Sequence, residues 1–393
     1  MRHSGQPATH LLATAAGRKA IEAASRQRDP DGLAAATALR AVFPPDLAAA
    51  ALAQVSLRRV ARVKLGERAD RLLFTRTGLE QASRAQVAAH HAARFVAAGA
   101  HRVVDLGCGI GADALALLDS GLEVVAVEAD PETASIAQAN LGDRAQVRLG
   151  DAVEVAPELL GPGVAVYVDP ARRTGRGRSW EIGDLSPSWS FVQTLLTGDR
   201  VVGVKLGPGL PHRLIPSTAE AEWLSERGDT VEVGLWAGPG AEAGRRVARL
   251  LPDHRLVVDP RAEPLPVGDV GTVVYEPDGA IIRAGGIAQL GADLQARLIG
   301  PGIAYLTADT ERTTPYATAF AVVETHPYSE QTLRAWTRER RIGALEIKKR
   351  GLELDPAILR RRLKLRGPGS ATVILTRGTE GAVMIVVRRV REG

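Results

Sequence analysis

One cysteine, Cys108, stands in 393 residues, which excludes a disulfide within the chain. No window of about 18 uninterrupted apolar residues occurs, so a transmembrane helix is not expected. The first residues, MRHSGQPATHLLATAAGRK, hold a short apolar run without the layout of a secretory signal. A cytoplasmic location is the simplest expectation. The adjacent pair His90-His91 has no further His/Cys/Asp cluster near it in sequence. Neighbouring helix positions point apart, so no metal site is expected. Internal repeats and low-complexity tracts are also missing.

What is present is a glycine turn. Residues 103–111 read Val-Val-Asp-Leu-Gly-Cys-Gly-Ile-Gly, and an apolar helix follows from Ala114 to Leu118. Such a turn lets a ligand approach the backbone where side chains would block it. Dinucleotide sites space their glycines as Gly-x-Gly-x-x-Gly and seat a pyrophosphate on the helix N-terminus. Here Gly107, Gly109 and Gly111 give Gly-x-Gly-x-Gly, with Asp105 two residues ahead. That acid repels a pyrophosphate and suits the ammonium of an amino acid. A second strand ends in Glu128, which lies 23 residues past Asp105. Nucleotide sites in α/β folds place a ribose-binding acid at about 20 residues. The bland alternative is a ligand-free glycine turn. The whole arrangement resembles motif I of the class I S-adenosylmethionine (SAM) dependent methyltransferases.

At 393 residues the chain is expected to hold two or three domains. Residues 1–75 are rich in Ala, Leu and Arg, with helices over 34–41 and 47–61 broken by Phe43-Pro44-Pro45. A further helix spans 84–98. From His101 strand and helix alternate, which argues for a parallel sheet covered on both faces. Strands are expected at 102–105, 123–127, 146–149, 164–168, 201–205, 230–236 and 245–250. A domain over 76–255 follows, and the second half of a Pro/Gly-rich passage at 237–268 reads as a linker. Beyond it, mixed strands and helices suggest two small α+β units, 268–324 and 325–393. The fold class is therefore α/β: a Rossmann-like seven-stranded sheet, a helical N-terminal segment and C-terminal α+β units.

Charge is unevenly spread. Residues 325–393 hold 16 Lys/Arg and 7 Asp/Glu, a net of +9, while the whole chain is +5, so residues 1–324 carry −4. A basic C-terminal segment points to a polyanion, nucleic acid first, against the plainer reading of a solvated basic surface.

Further chemistry sits at the ends of the later strands, where open α/β sheets place ligands. Gly150-Asp151 follows the third strand. The fourth, Val164-Ala165-Val166-Tyr167-Val168, runs into Asp169-Pro170-Ala171-Arg172-Arg173. This segment resembles the Asp/Asn-Pro-Pro-aromatic signature of amino methyltransferases and the Asp-Pro-Pro-Arg of some RNA carbon methyltransferases. It departs from them in carrying Ala171 for the second proline and Arg172 for the aromatic. Asp169 with nearby carbonyls can hold an amine and orient its lone pair, and Arg172 can stack through its guanidinium. Methylation at carbon 5 of a pyrimidine needs a cysteine nucleophile, and Cys108 lies inside the glycine turn, so that route is rejected. The loop Arg172–Arg178 is basic, with Trp180 and Trp189 nearby, which suits phosphate contact and stacking as well as core packing. Lys205, after the fifth strand, either faces substrate or snorkels at the rim.

The stretch Glu330–Arg334, the run Gly343–Gly351 and the basic helix ending Arg360-Arg361-Arg362-Leu363-Lys364 resemble bacterial methyltransferases with a THUMP-like C-terminal domain. Tyr275-Glu276-Pro277-Asp278 is similar to the ferredoxin-like unit that precedes it there. The resemblance implies SAM as cofactor, with Asp105, Gly107 and Gly109 at its methionine moiety, Glu128 at the ribose and Asp151 at the adenine. It also implies that Thr75 and Gln81, and with them Ser83, lie in the region that closes over the methionine end, although Ser83 equally suits a helix N-cap. Asp169, Pro170 and Arg172 become the catalytic segment. The function implied is methylation of a base nitrogen in RNA, either tRNA or rRNA, held through the basic C-terminal domain and with no membrane partner. A small-molecule methyltransferase and a non-catalytic SAM-binding RNA-binding protein are the alternatives.

Overall fold

A computed structural model describes residues 9–172 and 182–390. The chain divides into two compact units. The first holds Met1–Ala221 and Glu232–Arg245, and the second Glu222–Val231 and Arg246–Gly393.

The first unit opens with helices α1 (Ala15–Ser25), α2 (Leu33–Arg40) and α3 (Pro45–Leu65). The expected Pro44-Pro45 break is the start of α3. Pro44 caps it and Pro45 takes the first helical position, where no intrahelical N–H is needed. Asp46 in the first turn and Arg62 and Lys64 in the last complement the helix dipole. Two more helices follow, α4 (Arg76–Gln81) and α5 (Ala85–Ala97).

The sheet begins with β1 (Arg102–Leu106), α6 (Ala112–Asp119), β2 (Glu123–Glu128), α7 (Pro131–Leu141), β3 (Gln146–Leu149), α8 (Ala152–Leu159) and β4 (Val164–Val168). After α9 (Trp189–Leu195) come β5 (Val202–Leu206), β6 (Glu220–Glu226) and β7 (Asp229–Ala237). The strands lie in the order β6-β7-β5-β4-β1-β2-β3. β1 is parallel to β2 and β4, β2 to β3, and β4 to β5, while β7 is antiparallel to β5. These seven strands lie side by side in a larger, parallel-rich sheet of nine, which is the α/β class expected, with two strands more than the seven foreseen.

The sixth strand differs from expectation. Glu220–Glu226 reads Glu-Ala-Glu-Trp-Leu-Ser-Glu, and all seven residues are buried. Three glutamates disguise the strand. Glu220 is neutralised by Arg94 at 2.7 Å and Glu222 by Arg249 at 3.0 Å, so two of the acids that hide it are paired charges. A two-residue turn, Arg227 and Gly228 with φ of +54° and +82°, closes the hairpin to β7. The strand expected at 245–250 exists as β8 (Arg246–Leu251) and pairs with β9 (His254–Val257), within the second unit.

The second unit also carries a seven-stranded sheet. Its strands are β10 (Val273–Pro277), β11 (Arg297–Leu298), β12 (Leu306–Ala308), β13 (Ala317–Pro327), β14 (Ile342–Lys349), β15 (Gly369–Gly378) and β16 (Gly381–Arg389). They run in the order β11-β12-β10-β13-β16-β15-β14. Helices α10 (Gly279–Ala284), α11 (Ile287–Leu294), α12 (Glu330–Glu339) and α13 (Pro356–Leu363) complete it. The segments 268–324 and 325–393, expected as two units, share this one sheet. Strand β13 runs through the expected boundary, pairing with β10 on one side and β16 on the other. A bulge between Val322 and Glu324 leaves Val323 exposed, and this interruption of the apolar alternation is what reads in sequence as a strand end.

Candidate active site

The glycine turn is built as its sequence demands. Gly107 and Gly109 have φ of +85° and +56°, a region side chains rarely enter. The amides of Gly107 and Cys108 both donate to the Val127 carbonyl, at 2.9 and 3.0 Å. A Cβ at Gly107 would sit 3.1 Å from the Asp169 carbonyl oxygen, whereas at Gly109 it would meet nothing within 4 Å. Gly107 thus permits the close approach of two strand ends, and Gly109 keeps an open space beside them.

Asp105 ends β1 next to this turn. It is 1% exposed, and among the described residues neither carboxylate oxygen has a hydrogen-bond partner. Burial pushes its carboxyl well above the usual range. Asp113, Asp169 and Glu128 add to the rise, and Lys205 opposes it. Native proteins seldom leave such a group orphaned, and it marks a place where a cation or donor is wanted.

Glu128 is not idle. Its two oxygens accept from the amides of Gly109 at 3.0 Å and Asp130 at 2.9 Å, so it ties the turn to the start of α7. Asp151 is exposed and caps α8 by accepting from the Val153 amide at 2.8 Å. Thr75 caps α4, accepting from Gly78 at 2.9 Å. Gln81 has an exposed side chain. Helix α4 lies against the glycine turn, because a Cβ on Gly78 would collide with Ile110. Asn140 reinforces the same junction by donating to the carbonyls of Leu73 and Ile110 at 3.0 and 2.9 Å. Nothing in its sequence surroundings announces that role.

Asp169 follows β4. Its Oδ2 lies 2.6 Å from the Lys205 ammonium, which also donates to the Gln81 carbonyl at 3.1 Å. Burial raises the Asp169 carboxyl, with Lys205 pulling the other way. Burial would lower the Lys205 ammonium, but Asp169, Asp113 and Glu232 outweigh it and hold the group cationic. Pro170 is buried. Ala171 and Arg172 pair with Ser186 and Leu185. Residues 173–181, hence most of the basic loop and Trp180, lie outside the described residues. Trp189 is buried and belongs to the core rather than to a stacking surface.

Behind these groups lies a buried polar cluster. His91 Nδ1 is 2.9 Å from Asp113 Oδ1 and His91 Nε2 is 2.6 Å from Glu232 Oε1. Ser83 donates to Asp113 Oδ2 at 2.7 Å, so its hydroxyl serves α6 rather than capping α5. The Tyr167 hydroxyl stands 3.0 Å from His91 Nδ1. Burial opposes a charge on His91, yet the flanking carboxylates push its pKa up to about 10. The Asp113 carboxyl, despite burial, is held down at about 2 by His91, Lys205 and Ser83. No group of three or more metal-ligating side chains occurs among the described residues.

A face of paired and unpaired carboxylates at the carboxyl edge of a parallel sheet, with an open glycine turn, defines a cofactor-dependent α/β enzyme. Relatives make the class specific. A Mycobacterium tuberculosis protein described as an uncharacterized S-adenosylmethionine-dependent methyltransferase is 33% identical over 340 residues, covering 83% of this chain and 92% of the relative. The chain belongs to the S-adenosylmethionine-dependent methyltransferases. Its residues 317–389 match the THUMP domain-like family, and residues 7–61 match a domain of unknown function, DUF8688. The THUMP-like match begins at the first residue of β13. The ribosomal RNA small subunit methyltransferase A of Cutibacterium acnes is 27% identical over 173 residues, covering 41% of this chain and 58% of its own. A crystal structure from Porphyromonas gingivalis W83, provisionally named a methyltransferase, shares the fold with a TM-score of 0.74. It is 24% identical and covers 95% of this chain and 99% of its own.

No helix among the described residues is long and apolar enough to cross a membrane.

Proposed function

We propose that this methyltransferase modifies a base nitrogen in RNA, of tRNA or rRNA type, and that the groups around Asp105 and Asp169 form its active site. The carrying observation is Asp105, a fully buried carboxylate without a hydrogen-bond partner among the described residues, beside the open turn at Gly109. The residues fit SAM on that ground. An ammonium supplies the missing cation for Asp105, and the space at Gly109 admits a backbone-hugging ligand. Glu128, fixed by two amides, retains lone pairs for ribose hydroxyls. Asp151 has one oxygen engaged as a helix cap and the other free to accept from the adenine amino group. Thr75 and Gln81 frame the methionine end through α4.

When bound, SAM supplies an electrophilic methyl group on a sulfonium. The protein's own share is alignment. Asp169 accepts a hydrogen bond from the acceptor amine and turns its lone pair toward the methyl carbon. Pro170 stiffens the strand exit, and Arg172 stands where related segments carry an aromatic.

RNA as substrate is supported by three observations. They are the THUMP-like match at 317–389, the +9 charge of residues 325–393, and the partial similarity to a ribosomal RNA methyltransferase. Tritiated methyl transfer from SAM into total RNA, followed by nucleoside mass spectrometry, tests the reading. Label in RNA with wild type and none with Asp169→Ala is expected. Label only in a metabolite extract would overturn the RNA assignment.

A further inference from the structure

We propose that Lys205 is a positioning residue for methyl transfer, keeping Asp169 ionised and aimed so that the carboxylate can receive the acceptor's N–H. The inference rests on the reading of Asp169 as the acceptor-holding group. It adds a residue from a different strand, 36 positions further along the chain.

The geometry carries it. Among the described residues the Lys205 ammonium has two acceptors, Asp169 Oδ2 at 2.6 Å and the Gln81 carbonyl at 3.1 Å. One links β5 to the end of β4. The other links it to the last turn of α4, the helix packed on the glycine turn. A single cation therefore fixes the catalytic carboxylate relative to the segment flanking the cofactor site. Register explains the meeting. Tyr167 lies opposite Gly203 across the β4–β5 pair, so Asp169 and Lys205, two residues further on each strand, project from the same face.

Charge explains why the lysine is needed. Asp169 is faced by Asp105 from β1, Asp113 from α6 and Glu232 from β7, and it shares the face with the Tyr167 hydroxyl. Among these groups His91 is already committed between Asp113 and Glu232. Lys64 of α3 donates to the carbonyls of Leu79, Glu80 and Ala82 and does not reach Asp169. Lys205 is thus the cation in direct contact with Asp169 among the described residues. Without it a half-buried carboxylate facing three others takes up a proton more readily, and a protonated Asp169 offers fewer acceptor lone pairs to an amine.

The acceptor nitrogen uses its lone pair to form the new bond to the methyl carbon, while the carbon–sulfur bond breaks and leaves its electron pair on sulfur. The methylated nitrogen then carries a positive charge and releases its N–H proton to the Asp169 carboxylate, which passes it to solvent. Only an ionised Asp169 can both orient the N–H and take that proton.

Two measurements on the full-length chain test this. In the first, the pH profile of tritiated methyl transfer into total RNA is compared among wild type, Lys205→Met and Lys205→Arg. The Met variant should lose activity at least tenfold at neutral pH and move its acid limb up by one pH unit or more. The Arg variant should keep the wild-type limb. An unshifted limb in the Met variant would overturn the proposal, because a merely structural lysine lowers rate without moving a pKa.

The second measurement needs no substrate. Carboxyl infrared or carbon-13 titration, with Asp169→Asn to identify the signal, should show Asp169 titrating at higher pH in the Met variant than in wild type. Identical titrations overturn the role. Wild type that labels no RNA defeats the RNA reading alone, since the titration still decides what Lys205 does.

Discussion

The imidazole of His91 on α5 stands 2.6 Å from the Glu232 carboxylate on β7, although 141 residues separate them. Its other nitrogen meets Asp113, two residues after the last glycine of the turn. One cationic ring therefore ties the antiparallel strand of the sheet to the helix that follows the glycine turn.

That arrangement sets a pH dependence. The His91 pKa is raised from 6.5 to about 10 in the folded protein. The stabilisation it gives is fully present below pH 6.5 and is lost as pH rises toward 10, with a slope of at most about 1.4 kcal/mol per pH unit. Asp113 acts at the other end. Its pKa is lowered from 3.8 to about 2, so its contribution is present above 3.8 and is lost as pH falls toward 2. His91→Gln removes the first term and leaves two buried carboxylates without their cation. In urea denaturation it should lose much more stability at pH 6 than at pH 10. Wild-type and variant stabilities that differ by a constant amount across this range would show that His91 is neutral.

Asp105 predicts a conflict between stability and binding. Its folded pKa is raised, so the ionised carboxylate costs stability increasingly as pH climbs above 3.8. Asp105→Asn should therefore melt higher than wild type at pH 8, by about 2–4 °C for each kcal/mol relieved. The same change removes the charge proposed to meet the SAM ammonium, and affinity should fall at least tenfold, about 1.4 kcal/mol. Thermal shift and calorimetric titration with SAM check both halves. Unchanged SAM affinity would remove Asp105 from the cofactor site.

Much of this site is written locally. The turn at Gly107–Gly111, Glu128 at the end of β2 and Asp169 after β4 are each signalled by residues within one strand and its exit, because parallel strands deliver their carboxyl ends to a common edge. Contacts between distant elements leave no such trace. His91 beside His90 reads as an isolated pair, since its partners Asp113 and Glu232 come from other elements. The same holds for β6, where Glu220 and Glu222 look like surface residues until Arg94 and Arg249 are placed against them. In the second unit the polar stretch Glu324-Thr325-His326 reads as a break, yet ladder hydrogen bonds carry β13 through it to Pro327.

The basic segment makes a prediction about salt. Arg360 and Arg361 are exposed on α13, whose apolar side is held by Leu359 and Leu363. Replacing both arginines with Ala should leave the fold intact. If each meets a phosphate, RNA affinity should drop and the slope of log affinity against log salt should fall by about 0.7–0.9 per arginine. Filter binding of total tRNA to the full chain between 50 and 200 mM salt measures it. Parallel slopes for wild type and variant would mean that α13 does not touch the RNA backbone.

Gly107 brings the glycine turn against the Asp169 backbone, and Gly107→Ala tests whether the proposed cofactor turn and the proposed acceptor carboxylate work together. The substitution places a Cβ 3.1 Å from the Asp169 carbonyl at a φ of +85°. The left-handed conformation alone costs about 1–2 kcal/mol, and the contact forces Asp169 to shift by a few tenths of an ångström. Such a shift moves Asp169 relative to Lys205 and to the acceptor without removing a functional group. The turnover number should therefore fall by one to two orders of magnitude, while SAM affinity, which the proposed site rests on Asp105 and Glu128, drops less. A variant that loses SAM binding and turnover in equal measure would instead place the whole effect on the cofactor loop.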